Sequence, residues 1–176
     1  MKKITILGLS AALLLAACGT EQSKDTTDTA SGSATMESGK ESIKSQLMQF
    51  YLSVSKDINK EDAQLNDFEI AQVEGTLPSG TELTAMKEAA AASAEQAIQT
   101  VASIEVPESL NDHQEEIDGA LASITASYEM KIEELETDEP DFQAAADKFA
   151  EADAAFNEIL EENGLVASNL YNEVSQ

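Results

Sequence analysis

The stretch "LNDHQEEIDGALASITASYEMKIEEL", residues 110–135, decides the fold class. Its large apolar residues are Leu110, Ile117, Leu121, Ile124, Tyr128, Ile132 and Leu135, and His113 falls on the same stripe. Spacings of three, four and seven put them all on one face of an α-helix, whereas a half-buried strand would need strict alternation. The positions between them are mostly acidic or small, so the opposite face is a solvated one. Pro107 stands just ahead of the run, where its missing N–H costs no helical hydrogen bond.

The same period extends to both sides. Ile43, Leu47, Phe50, Tyr51, Val54 and Ile58 predict a helix over roughly 38–64. A second helix is expected from Ser79, which forms a capping-box pattern with Glu82; its stripe is Leu83, Met86, Ala90, Ala94, Ala97, Val101 and Ile104. After the helix that Pro107 opens, Pro140 opens another. There Phe142, Phe149 and Phe156 recur every seven residues, beside Ala145, Ala152, Ile159 and Leu160. Asn163-Gly164 reads as its stop. Leu165, Leu170, Tyr171 and Val174 predict a short helix folding back. The expected fold is all-α, an antiparallel up-down bundle of about four helices over residues 41–176, large enough for one core. Alanine runs at 89–92 and 144–146 favour helix and permit close approach, so the second and fourth helices are expected to pack together.

One connection stands out. Residues 66–78, "NDFEIAQVEGTLP", are long for a bundle loop. Phe68, Ile70, Val73 and Leu77 make the segment too apolar for a free linker. Two readings stay open: a lid that closes the end of the bundle, or a loop that binds a partner.

Ahead of the helical region, Met1-Lys2-Lys3 precedes an apolar run over residues 4–17, ending in Ala16-Ala17 and the lone Cys18. A short cationic start, an apolar run and small residues at its end describe an export signal. The run of 14 residues falls short of the roughly 20 needed to span a bilayer. Residues 19–40 hold one methionine and no other large apolar residue, so they are expected to form a disordered tether behind Cys18. A flexible chain of that length spans about 25 Å.

Leu15-Ala16-Ala17-Cys18 resembles a lipobox, the processing signal of bacterial lipoproteins. The whole chain resembles small helical lipoproteins of Gram-positive type, many of which have no assigned activity. The resemblance implies that residues 1–17 are a cleaved signal and that the Cys18 thiol carries a diacylglyceryl group. It places the protein on the outer face of the cell membrane. The alternative is a secreted chain with a cysteine near its cleavage site, which would leave a free thiol in an oxidising compartment. Two acyl chains give stable attachment where one does not.

The formal charge is −24, and loss of residues 1–17 would remove two lysines and no acid, giving −26. Such a chain repels nucleic acid and anionic lipid surfaces, so neither is an expected partner of the domain. It favours solubility and basic protein partners. The glycine-bearing ligand pattern of an EF-hand loop is absent. One histidine excludes His-His metal pairs and the HExxH motif, and no phosphate loop or G-x-S-x-G is present. His113 is either a boundary residue of its helix or, with Met48, Met86 or Met130, a ligand inside a small-ligand or metal-handling bundle. The methionines and the Phe142/Phe149/Phe156 stripe read as core filler. The chain is therefore expected to be a non-enzymatic interaction protein without a cofactor, held at the membrane through Cys18.

Overall fold

The computed structural model describes residues 31–175. The apolar run, Cys18 and the tether up to residue 30 lie outside the described residues. The helices are α1 (Ser31–Glu61), α2 (Ala63–Glu74), α3 (Thr81–Ala102), α4 (Gln114–Leu135), α5 (Gln143–Glu162) and α6 (Leu170–Val174), with a 3₁₀ turn at Glu108–His113. The described residues contain no strand, and the all-α bundle expected from the periodicity is the fold. No described helix is long and apolar enough to cross a membrane.

Helix α4 is the centre of the packing, with α3 against one side and α5 against another. Helices α1 and α2 cover α3, and α6 closes against α1 and α5. The short turn after α4 makes α4 and α5 antiparallel. Ser127 Oγ donates to the Ala145 carbonyl at 2.7 Å near that turn, while Ala120 and Ile159 line one groove at the far end. Helices α1 and α3 also run antiparallel: Ser93 Oγ donates to the Glu61 carbonyl at 2.6 Å, and Phe50 and Ser103 line one cleft further along.

The expected close pairing of the two alanine-rich helices does not occur, because α4 lies between α3 and α5. Their small residues face other neighbours. Ala90, Ala94 and Ala97 are buried along α3, and Ala145 and Ala152 along α5. The apolar stripe of α4 is broad enough to occupy both helices at once.

Several boundaries differ from the sequence reading. Helix α1 begins at Ser31, so the tether expected up to residue 40 is helical backbone over 31–40. A helix fixed by packing at Leu47, Val54 and Ile58 propagates outward more easily than it nucleates. Second, residues 66–78 are not a loop, since most of them belong to α2. Gly75 ends α2 with φ 69°, a left-handed conformation that glycine adopts without a Cβ penalty. The Gly75 N–H then reaches the Gln72 carbonyl at 3.2 Å and the Thr76 N–H reaches Ala71 at 2.9 Å, closing the helix. Third, the Ser79/Glu82 capping box does not form. The N-cap of α3 falls on Gly80, which leaves Ser79 one residue outside. Fourth, Pro107 opens a 3₁₀ turn before α4, and α5 starts only at Gln143, after Pro140. That start is prepared by Asp141, whose carboxylate accepts from the Gln143 N–H at 3.0 Å. The stop at Asn163-Gly164 and the short helix in the tail are both present.

The phenylalanines of α5 tie the bundle together. Phe142 meets Phe68 of α2 edge to face at 6.1 Å, and Phe156 meets Tyr51 of α1 at 5.8 Å. Between them Phe149 touches both Tyr128 of α4, at 6.4 Å, and Tyr171 of α6, at 5.3 Å. Such edge contacts add to the burial of the rings themselves. Phe149 therefore anchors two elements besides its own. Phe149→Ala is expected to destabilise the fold by about 3–5 kcal/mol. Urea denaturation followed by circular dichroism measures this, and a loss under about 1 kcal/mol would mean the ring is not a core anchor.

Candidate functional site

Asp62, Asn66 and Glu69 lie at intervals of four and three, so they share one face where α1 hands over to α2. Asp62 is the single residue between the two helices. Opposite them, Tyr128 and Lys131 sit one turn apart on α4. Tyr128 donates its hydroxyl to Asp62 Oδ2 at 2.6 Å. Asn66 Nδ2 reaches Asp62 Oδ1 at 3.3 Å and the Val174 carbonyl at 2.6 Å. Lys131 Nζ pairs with Glu69 Oε1 at 2.6 Å and lies 5.6 Å and 5.5 Å from the ring centres of Tyr128 and Tyr171. Lys131 is the only cation among the buried residues described.

Burial governs the acid–base character of the cluster. Asp62 is pushed up to about 6 by loss of solvent, against the opposing pull of the Tyr128 hydroxyl and the Lys131 charge. Burial, and then the neighbouring Asp62 carboxylate, pushes the Tyr128 hydroxyl well above its ordinary range. The Lys131 ammonium is held between one carboxylate and two ring faces. Chemically this is a clamp. It orders α2 and α6 against α4 and presents no free nucleophile.

A second polar cluster pins the tail. Asp153 Oδ1 accepts from the Leu170 N–H at 2.8 Å, and Asn157 Oδ1 accepts from the Ser168 N–H at 2.8 Å. Asn59 Nδ2 donates to the Glu173 carbonyl at 3.0 Å. Beneath the tail Tyr51 is pushed up to about 12, chiefly by burial. Burial also raises Asp153, opposed by the backbone amides it accepts from.

The four residues expected to form a binding loop are divided by the structure. Phe68 is fully buried and Leu77 half-buried against the core. Ile70 is 45% exposed and Val73 is 89% exposed, one turn apart on the outer face of α2. Val73 borders an open cleft of about 370 Å³ whose other walls include Glu69, Gln72, Phe142, Gln143 and Tyr171. The Lys131–Glu69 pair therefore lies at the edge of this cleft. His113 is half-buried at the end of the 3₁₀ turn, and its Nε2 lies 3.0 Å from Asn163 Nδ2 at the end of α5. Met48, Met86 and Met130 are each half-buried. Among the described residues no group of three or more His, Cys, Asp or Glu is arranged to hold a metal. Cys18 lies outside the described residues.

The clamp was missed because 66–78 read as a loop. The signal was present nonetheless: Asp62, Asn66 and Glu69 repeat at helical spacing beside Leu65 and Phe68, and Gly75 stands three residues before Pro78.

Two measurements test the clamp. Removing one partner of a buried ion pair strands the other, so Lys131→Met is expected to cost about 3–5 kcal/mol, while Lys131→Met with Glu69→Leu recovers most of it. A double variant no better than the single would show that the pair does not act as a unit. For pH, the folded value of Asp62 lies above its ordinary 3.8, so the folded chain binds this proton more tightly than the unfolded one. Its contribution is complete below the unfolded value and is lost as pH rises through about 6. Asp153 is shifted in the same direction. Urea midpoints should therefore fall between pH 4.5 and 7 at constant ionic strength, and Asp62→Asn should flatten that slope. An Asp62→Asn profile parallel to wild type would remove Asp62 as the cause.

No protein-family model, curated protein or solved structure matches this chain, so its own residues carry the functional reading.

Proposed function

We propose that the protein is a lipid-anchored, extracytoplasmic interaction module without enzymatic activity, and that the outer face of α2 with its adjoining cleft receives a basic protein partner at the membrane. The observation that carries this reading is the exposure of Val73 and Ile70, at 89% and 45%, one turn apart on the same face of α2; the other exposed large apolar residues described, Leu52 on α1 and Val166 after α5, lie on different elements. Apolar side chains of this kind supply the buried contacts at the centre of an interface. The half-buried rings of Phe142 and Tyr171 stand beside Val73 around the cleft. Charge complementarity selects the partner: at a formal −24, encounter with a basic surface is accelerated and an acidic one is repelled.

The lipobox-like end of the export signal supports attachment through Cys18. Anchoring confines the domain to a thin layer and raises its effective concentration toward anything else held there.

The test compares wild type, Cys18→Ala and Ile70→Ser/Val73→Ser by cell fractionation and cross-linking. Both α2 side chains are exposed, so the melt of the double variant should match wild type. Cys18→Ala should leave the membrane fraction or accumulate as precursor. A basic partner should cross-link to wild type, weaken as salt rises and disappear in the double variant. Membrane retention of processed Cys18→Ala would refute the anchor. A partner list unchanged in the double variant would refute the α2 face.

A further inference from the structure

Residues 168–174 are gripped by side chains of the bundle. Asn157 accepts from the Ser168 N–H and Asp153 from the Leu170 N–H, while the Asn59 and Asn66 amides donate to the Glu173 and Val174 carbonyls. The segment's own bonds run inside it. The Glu173 N–H reaches the Asn169 carbonyl at 3.2 Å, the Asn169 side chain caps α6, and Ser168 Oγ donates to Glu173 Oε1 at 2.7 Å. Such a piece can leave its seat with its internal bonds intact. The chain leading to it can swing: Gly164 has φ 68°, and Val166 and Ala167 beyond it are exposed.

Two effects oppose each other in the seat. Leu170 and Val174 bury completely, which favours docking. Beneath them the Tyr51 hydroxyl is buried with no partner at hydrogen-bonding geometry. Ser168 and Glu173 are near it but already bond each other. A hydroxyl buried in this way is costly, and water satisfies it once the segment lifts. A short element seated with such a penalty opens more easily than the rest of the core.

Tyr171 connects this segment to the cleft beside α2. Its ring lines that cleft, meets Phe149 at 5.3 Å and lies 5.5 Å from the Lys131 ammonium. With Tyr171 docked, Phe149 and Lys131 are only 1% and 3% exposed. Withdrawing that one ring would extend the cleft inward to an aromatic edge and a paired ammonium.

We propose that residues 168–174 form a strap that lifts as a unit on residues 164–167, and that lifting opens the α2 cleft inward to Phe149 and Lys131. The consequence for binding rests on the α2 face being the docking surface proposed above: a partner that inserts a side chain behind Tyr171 selects the lifted state, and strap and partner then compete.

The test uses the full-length chain with no partner added. Native-state hydrogen exchange follows the Leu170 amide, whose acceptor Asp153 belongs to the bundle, so its protection reports docking. Acetylation of Lys131, read by mass spectrometry, reports opening of the cleft. Leu170 should exchange roughly a hundredfold faster than Ile124 and Tyr128 on α4, after correction for intrinsic rates. Tyr51→Phe, which removes the unpaired hydroxyl, should slow both Leu170 exchange and Lys131 acetylation about fivefold. Asn59→Ala/Asn157→Ala removes two of the grips at residues that are not part of the buried core, and should accelerate both about tenfold. Retained protection at Ile124 verifies that each variant is folded, and acetylation of the exposed Lys60 should be the same in all three proteins. Exchange of Leu170 together with α4, or a Leu170 rate that neither variant moves, would overturn the strap. Lys131 acetylation that stays constant while Leu170 exchange changes would overturn the opening of the cleft. Neither measurement needs a partner, so its failure would leave the α2 face standing, and loss of the α2 cross-link would leave the strap standing.

Discussion

An ammonium group withdrawn from water must be met by an opposite charge and by polarisable surfaces, and in this bundle Lys131 imposes that requirement on three elements at once. Its own helix supplies Tyr128, α2 supplies Glu69, and the tail supplies Tyr171. A shift of α2 by one residue would rotate Glu69 away and leave the lysine unpaired. The same shift would separate Asp62 from the Tyr128 hydroxyl. Apolar residues of equal volume could fill the space, but they would not distinguish one register of α2 from the next. These polar contacts tie α2 and the tail to α4.

The tail shows the same logic at the other end of the cluster. A helix of five residues is too short to persist on its own. Leu170 and Val174 bury completely, and side chains from α1, α2 and α5 take hold of backbone atoms at 168, 170, 173 and 174. Backbone groups in a short, irregular segment need such partners once they leave water. Without the tail, Tyr171 would not lie over Lys131, and Phe149 would lose one of its two ring contacts.

Charge is distributed unevenly over the outside. The groove between α4 and α5 is lined by four glutamates, whereas the cleft between α1 and the end of α3 is lined by amide, hydroxyl and apolar side chains with two carboxylates. The outer face of α2 is different again, with exposed aliphatic side chains beside an aromatic edge. Uniform acidity serves solubility, while these departures from it are where selective contacts can form.

The helical period of residues 110–135, the aromatic heptads of α5 and the stop at Asn163-Gly164 were legible because each is a local pattern: one stretch of chain, one face, one cap. The short tail helix was legible for the same reason. The identity of α2 was not, because its twelve residues carry only two fully buried large apolar side chains, Leu65 and Phe68, and its remaining buried contacts are polar. Hydrophobic period cannot report a face made of Asp62, Asn66 and Glu69. The separation of the alanine-rich helices was equally hidden, since alanine permits close approach without specifying to what. The sequence by itself determined five of the six helices in outline, the stop at Asn163-Gly164 and the acidic exterior, through interactions between residues within a few positions of each other. Only the tertiary structure decided that α4 would stand between α3 and α5, that Phe68 would be core while Val73 stayed in water, and that a buried lysine would join α2 to the tail. Those outcomes depend on partners far apart along the chain, 18 positions for Ser127 with Ala145 and 66 for Tyr128 with Asp62, which no local spacing encodes.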